Sequence, residues 1–211
     1  MKRAYDVATP RVRQYLDAEV EHVLKFISPG DVVLELGCGY GRILPALAAK
    51  TRGVVGLDTS WASLELARET LADACNVRLT AADAVELPFE DAVFDLVVCI
   101  QNGISAFHVN QRALIDETIR VTKTGGTALF SSYSDEFWED RLEWFELQAG
   151  AGLLGEIDYE KTSDGTIVCK DGFTATTVDA SEFRALTAGL DADTNITEVD
   201  GSSVFCEITP S

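Results

Sequence analysis

The stretch Val32-Val33-Leu34-Glu35-Leu36-Gly37-Cys38-Gly39-Tyr40-Gly41-Arg42 passes from an apolar run into three glycines set at every second position. Asp31 to Leu36 reads as a short strand, and Gly41 to Lys50 as the helix that follows it. Val32-Val33-Leu34 is continuously apolar, as a strand buried on both faces should be. Glycines between such a strand and a helix let the backbone turn tightly and come close to a ligand, with helix N–H groups pointing at it. A turn without a ligand is the plain alternative, but one glycine would suffice for that.

The alternation continues outward in both directions. Upstream, residues 9 to 27 read as a helix: Thr9 is a candidate N-cap, Pro10 suits the first helical position, and Pro29-Gly30 closes it. Downstream come a strand from Gly53 to Leu57, a helix capped by Ser60 and reaching Asp73, and a strand from Asn76 to Thr80. A fourth strand runs from Phe94 to Ile100. A helix from Asn110 to Val121 is closed by Lys123-Thr124-Gly125-Gly126, and a fifth strand spans Thr127 to Ser132. Strands alternating with helices predict a doubly wound α/β fold with a mostly parallel sheet. After Ser132 the rhythm changes. Residues 133 to 154 are aromatic-rich and partly helical, and 181 to 189 read as a short helix capped by Ser181. Asn195 to Val199 and Ser203 to Ile208 flank Asp200-Gly201, a hairpin signal, so the expected seven-stranded sheet ends in an antiparallel hairpin.

Composition bounds the function. The 211 residues suit one domain with a full core. No run of about 18 apolar residues predicts a membrane span, and Met1-Lys2-Arg3-Ala4-Tyr5-Asp6 has no apolar stretch behind its basic pair. A cytoplasmic protein is expected. The five cysteines are scattered and form no C-x-x-C pair, and there are only two histidines, so neither disulfides nor a metal is expected. The net charge of −18 repels phosphate backbones, which argues against a nucleic-acid partner. The same charge is open to two readings, plain solubility or adaptation to high salt. Under the second, the protein should resist unfolding better in molar KCl than at low salt, and equal stability in both would count against it.

The ligand of the glycine turn is narrowed by its neighbours. A dinucleotide fingerprint, G-x-G-x-x-G, has its third glycine where Arg42 stands. Glu35 would repel a pyrophosphate, whereas S-adenosylmethionine carries a sulfonium and an α-ammonium and no phosphate. Glu35-Leu36-Gly37-Cys38-Gly39-Tyr40-Gly41 is similar to the first motif, E/D-x-G-x-G-x-G, of class I Rossmann-like S-adenosylmethionine-dependent methyltransferases. Gly56-Leu57-Asp58-Thr59-Ser60 resembles the second motif, whose acidic residue holds the ribose hydroxyls in that family. Thr80-Ala81-Ala82-Asp83-Ala84 resembles the third, where the acid takes the adenine amino group and the next N–H a ring nitrogen. Glu86-Leu87-Pro88-Phe89-Glu90-Asp91-Ala92-Val93-Phe94-Asp95-Leu96-Val97 and Val121-Thr122-Lys123-Thr124-Gly125-Gly126 continue the likeness into the fourth and fifth strands. The resemblance implies a cofactor site from Glu35, Gly37, Cys38, Gly39, Gly41, Asp58, Thr59, Asp83, Ala84, Gln101 and Asn102. Alternatives stay open: Asp58 as a helix cap, Asp83 as a turn residue, Gln101 and Asn102 as a hydrogen-bonded loop. Asp95 is read as ordering the entry to the fourth strand.

The resemblance also implies one domain over 1–211, with an N-terminal helix at 9–27, a cofactor-binding core at 31–132 and an acceptor-side segment with the hairpin at 133–211. The N/D-P-P-Y/F motif of enzymes that methylate base amino groups is absent at Gln101-Asn102-Gly103-Ile104, so a small-molecule acceptor is expected. His108 is either a general base or a surface histidine. Tyr133 and Trp138 either enclose the acceptor or belong to a core-facing stripe. By family analogy alone, Tyr5, Arg11 and Tyr15 close over the cofactor. The competing functions are a cofactor-binding regulatory protein without catalysis and an NAD(P)-dependent oxidoreductase.

Overall fold

The computed structural model describes residues 2–71 and 74–211. The elements in chain order are α1 (Lys2–Asp6), α2 (Pro10–Val23), β1 (Val32–Leu36), α3 (Leu44–Ala48), β2 (Gly53–Asp58), α4 (Trp61–Thr70), β3 (Val77–Ala81), β4 (Phe94–Cys99), α5 (Gly103–Ala106), α6 (Gln111–Val121), β5 (Thr122–Tyr133), a 3₁₀ turn (Asp135–Phe137), α7 (Trp138–Gly150), β6 (Ile167–Val168), β7 (Thr174–Ala175), α8 (Ala180–Thr187), β8 (Ala192–Val199) and β9 (Ser203–Pro210). Seven strands form one sheet in the order β3-β2-β1-β4-β5-β9-β8. The first five are parallel, and β9 and β8 add antiparallel at one edge. β6 and β7 pair separately. No helix among the described residues is long and apolar enough to cross a membrane.

Strand alternation divides the core between the two faces. On β4, Val97 and Cys99 pack with Leu114, Ile115 and Phe183 from α6 and α8. Leu96, Val98 and Ile100 pack on the other face with Val23, Leu44, Leu47 and Leu64 from α2, α3 and α4. A period of two within an unbroken apolar run is what a strand buried on both sides requires. On β1 the same alternation sends Leu34 and Leu36 to the α6 side. Val33, and with it Glu35, faces α2 and α3.

Several boundaries differ from the sequence reading for local reasons. Thr9 does cap α2, accepting from the Val12 N–H at 3.2 Å, but the helix stops at Val23. α3 begins at Leu44 rather than Gly41, because Gly37, Gly39 and Gly41 all carry positive φ and keep the chain in turns. α8 is capped by Asp179, not Ser181, through a capping box with Glu182. Residues 122 to 126 do not close α6. They begin β5, pairing Thr122 with Phe94 before the register shifts. Asp95 orders this corner: it accepts from the Val32 N–H at 2.8 Å and pairs with Lys123 at 2.6 Å. The expected end of α4 at Asp73 lies outside the described residues.

Candidate functional site

The glycine turn hangs between β1 and β2. Gly37 and Cys38 both donate to the Leu57 carbonyl, at 2.8 and 2.9 Å. Asp58, at the end of β2, accepts from the Gly39 N–H at 2.8 Å with one oxygen and from the Ser60 N–H at 2.8 Å with the other. Ser60, not Asp58, caps α4. Asp58 is buried, and its carboxylate ties the two loops together. A methyl group on Gly37 would lie 2.5 Å from the Phe107 ring, and one on Gly56 would press on Cys38 Sγ at 3.0 Å. Gly41 packs its bare face on Ala67, Leu71 and Leu44.

Beside this turn lies a cavity of about 410 Å³ lined by Gly37, Asp58, Thr59, Asp83, Ala84 and Phe107 among others. Asp83 is exposed at its rim, with one oxygen accepting from the Val85 N–H at 3.1 Å, the turn bond of the alternative reading. Cys38 is buried away from the cavity against Gly56. Glu35 is 7% exposed, and its Oε2 has no hydrogen-bond partner. Burial pushes its carboxyl up to about 8; Arg42 opposes that rise and Asp58 adds to it. An unpaired carboxylate in such a place is costly unless a cation meets it.

Beside the glycine turn, more polar atoms lack partners among the described residues: Arg42 Nε and Nη2. The Arg42 guanidinium lies 5.0 Å from the Tyr5 ring, and Tyr5 donates its hydroxyl to Gln101 Oε1 at 3.4 Å. So α1 brings Tyr5 over the glycine turn. Arg11 instead binds Asp200 in the β8–β9 turn, and Tyr15 is buried against Tyr133 and Phe137.

A second cavity of about 150 Å³ opens after β4, lined by Gln101, Asn102, Ser105, His108, Tyr133 and Phe145 and by residues 173–176. Gln101 and Asn102 both have φ near +60°, a strained pair for non-glycine residues. Two bonds fix this bend from below. The Gln101 N–H reaches Glu19 Oε2 at 2.7 Å and Ser131 Oγ at 2.8 Å. Glu19 also accepts from Ser203 Oγ at 2.7 Å, and burial raises its carboxyl to about 7. Asn102 is fully engaged, donating to the Thr176 carbonyl and accepting from Ser132 Oγ. His108 is exposed on the rim. Trp138 lies apart, in an outer cleft of about 650 Å³ that also reaches Thr176.

Sequence reasoning missed Phe107, Glu19 and the 173–176 arm. Phe107 was within reach of it, as an aromatic just past the β4 end. Glu19 carried only a weak signal, an acid inside the apolar face of α2. The arm carried none.

Three comparisons bear on this site. A family described as "Methyltransferase domain" matches residues 33–126. A demethylmenaquinone methyltransferase of Clavibacter sepedonicus is 39% identical over 105 residues, half of this chain and 42% of that protein. The chain thus spans less than half the length of that relative. An uncharacterized methyltransferase of Synechocystis is 34% identical over 152 residues, which is 70% of this chain and 69% of the relative. In fold, the chain is similar to a methyltransferase structure from Methanosarcina mazei, at a TM-score of 0.67 and 18% identity, covering 89% of this chain and 96% of the other.

Proposed function

The chain belongs to the class I S-adenosylmethionine-dependent methyltransferases, and from that premise we propose that it methylates a small-molecule acceptor as a single domain over 1–211. Its cofactor is S-adenosylmethionine. When bound, that cofactor supplies a methyl group on a positively charged sulfur, already activated for displacement. The residues present fit it. Asp58 has a carboxylate at the cavity wall for ribose hydroxyls, and Asp83 and Ala84 lie further along the same wall for the adenine edge. Glu35 offers its unpartnered oxygen to the cationic end, and Arg42 and Tyr5 close that end. Gly37 lines the cavity without a side chain of its own.

The single observation that carries this reading is Glu35, an orphaned buried carboxylate beneath a glycine turn whose adjoining cavity presents two further acids. A pyrophosphate would meet the acids Asp58 and Asp83 on the cavity wall, and Glu35 would have no cation to ionise against. Calorimetry tests the reading: S-adenosylmethionine and S-adenosylhomocysteine should bind, and NAD and NADP should not. Binding of NAD without S-adenosylhomocysteine would overturn it.

The acceptor reading rests on the second cavity, which shares Ala106 with the first. At about 150 Å³ it has the volume of a site that holds one benzene-sized ring. The charge of −18 supports a partner other than nucleic acid. The chain's own share of catalysis is orientation, on the order of 7–11 kcal/mol where it is complete. Glu19 and Ser131 hold the Gln101 bend in the wall of the second cavity. His108, exposed at the second cavity, is the candidate base for an acceptor that must lose a proton.

A further inference from the structure

Arg141 is 1% exposed and makes no salt bridge among the described residues, although it edges the outer cleft that Asp135, Asp164, Asp179 and Glu182 also line. Two of its five N–H donors are taken by the Gly165 and Ala175 carbonyls, at 2.7 and 2.9 Å, and Nε finds no partner. Its guanidinium lies 4.5 Å from the Tyr133 ring and 5.6 Å from that of Phe145. Tyr133, Phe145 and Ala175 are walls of the second cavity, so the cation sits directly behind three of its lining residues. A buried guanidinium that makes no ion pair is costly.

The cavity itself repeats the pattern. Among the described residues, no Asp or Glu lines it. Two of its buried lining atoms lack partners, Ser105 Oγ and Gln101 Nε2, and both are able to donate. Arg141 Nε, behind Tyr133, Phe145 and Ala175 and not itself in the lining, is a third unfilled donor nearby. Resting on the methyltransferase reading above, we propose that the methyl acceptor is a small carboxylic acid, its carboxylate received by Ser105 and Gln101 within the field of Arg141. The outer cleft, which meets the second cavity at Thr176, is lined by acids that disfavour a more highly charged anion. Asp135 and Asp164 are exposed on its rim, and Asp179 and Glu182, engaged in the α8 cap, also line it. A phosphate dianion entering there meets more repulsion than a carboxylate.

Matched pairs test this on the full chain saturated with S-adenosylhomocysteine: benzoate against benzamide, and acetate against acetamide, by calorimetry at constant ionic strength. At least one acid should bind about tenfold or more tighter than its amide, the scale of a hydrogen bond to a charged group. Ser105→Ala should reduce that preference with S-adenosylhomocysteine affinity unchanged. Arg141→Lys should reduce it further, and because Arg141 also anchors residues 165 and 175, its thermal midpoint must be read alongside. Equal binding of acid and amide, or binding of neither by protein that takes up S-adenosylhomocysteine, overturns the proposal. Failure to take up S-adenosylhomocysteine would instead overturn the cofactor reading beneath it.

Discussion

Replacing Asp58 by alanine is expected to weaken S-adenosylhomocysteine binding by about 5- to 150-fold, the equivalent of about 1–3 kcal/mol for leaving polar groups unpaired. The substitution has two consequences. It removes the carboxylate proposed to take the ribose hydroxyls, and it frees the Gly39 and Ser60 N–H groups that Asp58 now holds. The glycine turn would then lose one of its ties to β2, keeping those of Gly37 and Cys38 to the Leu57 carbonyl. Asp58→Asn separates the two: its carbonyl oxygen still accepts from one N–H, but its NH₂ faces the other, donor against donor. Both variants should therefore lose affinity, the alanine variant more. Calorimetry with S-adenosylhomocysteine checks this, with circular dichroism to establish folding. Wild-type affinity in folded Asp58→Ala would remove Asp58 from the site.

The contrast between Asp58 and Arg141 shows what sequence makes legible. Asp58 follows a buried strand and precedes a capped helix, so its place at the sheet's carboxyl edge is fixed by neighbours within a few residues. Asp83 and the three glycines are legible for the same reason, and the parallel sheet follows from the alternation that carries them. Arg141 sits in a helix of ordinary amphipathic pattern. Its meaning comes from Gly165 and Ala175, which are 24 and 34 residues away and reach it through an irregular arm. Glu19 likewise acquires its role from Gln101 and Ser203, 82 and 184 residues distant. The aromatics after β5 divide in a way periodicity does not foretell: Phe137 and Trp144 pack with Tyr15 in the core, whereas Tyr133 and Phe145 also face the second cavity. The start of β5 at Thr122 is decided by its pairing with Phe94, which no local pattern encodes.

Glu35→Gln is expected to change stability and cofactor affinity in opposite directions. In the folded protein without cofactor, burial raises the Glu35 carboxyl from 4.5 to about 8. Between those values the folded state holds a proton that the unfolded chain has released, so stability falls as pH rises through this window. Glu19, raised to about 7, adds to the same slope. Glutamine carries no charge to desolvate. Glu35→Gln should thus be more stable than the wild type at pH 8, with the gain shrinking towards pH 5. Each kcal/mol of that gain is worth about 2–4 °C in Tm for a chain of this size. Cofactor binding has the reverse dependence. A cationic ligand favours the ionised carboxylate, so wild-type affinity for S-adenosylmethionine should tighten between pH 6 and pH 8, with proton release on binding. Glu35→Gln should bind more weakly, by about tenfold or more at pH 8, with neither the tightening nor the proton release attributable to this group. Thermal unfolding without cofactor at pH 5 and 8, paired with calorimetry in two buffers of different ionisation enthalpy, reads both effects. A variant that loses stability at pH 8, or binds S-adenosylmethionine as the wild type does, would show that Glu35 is held for packing rather than for the cation.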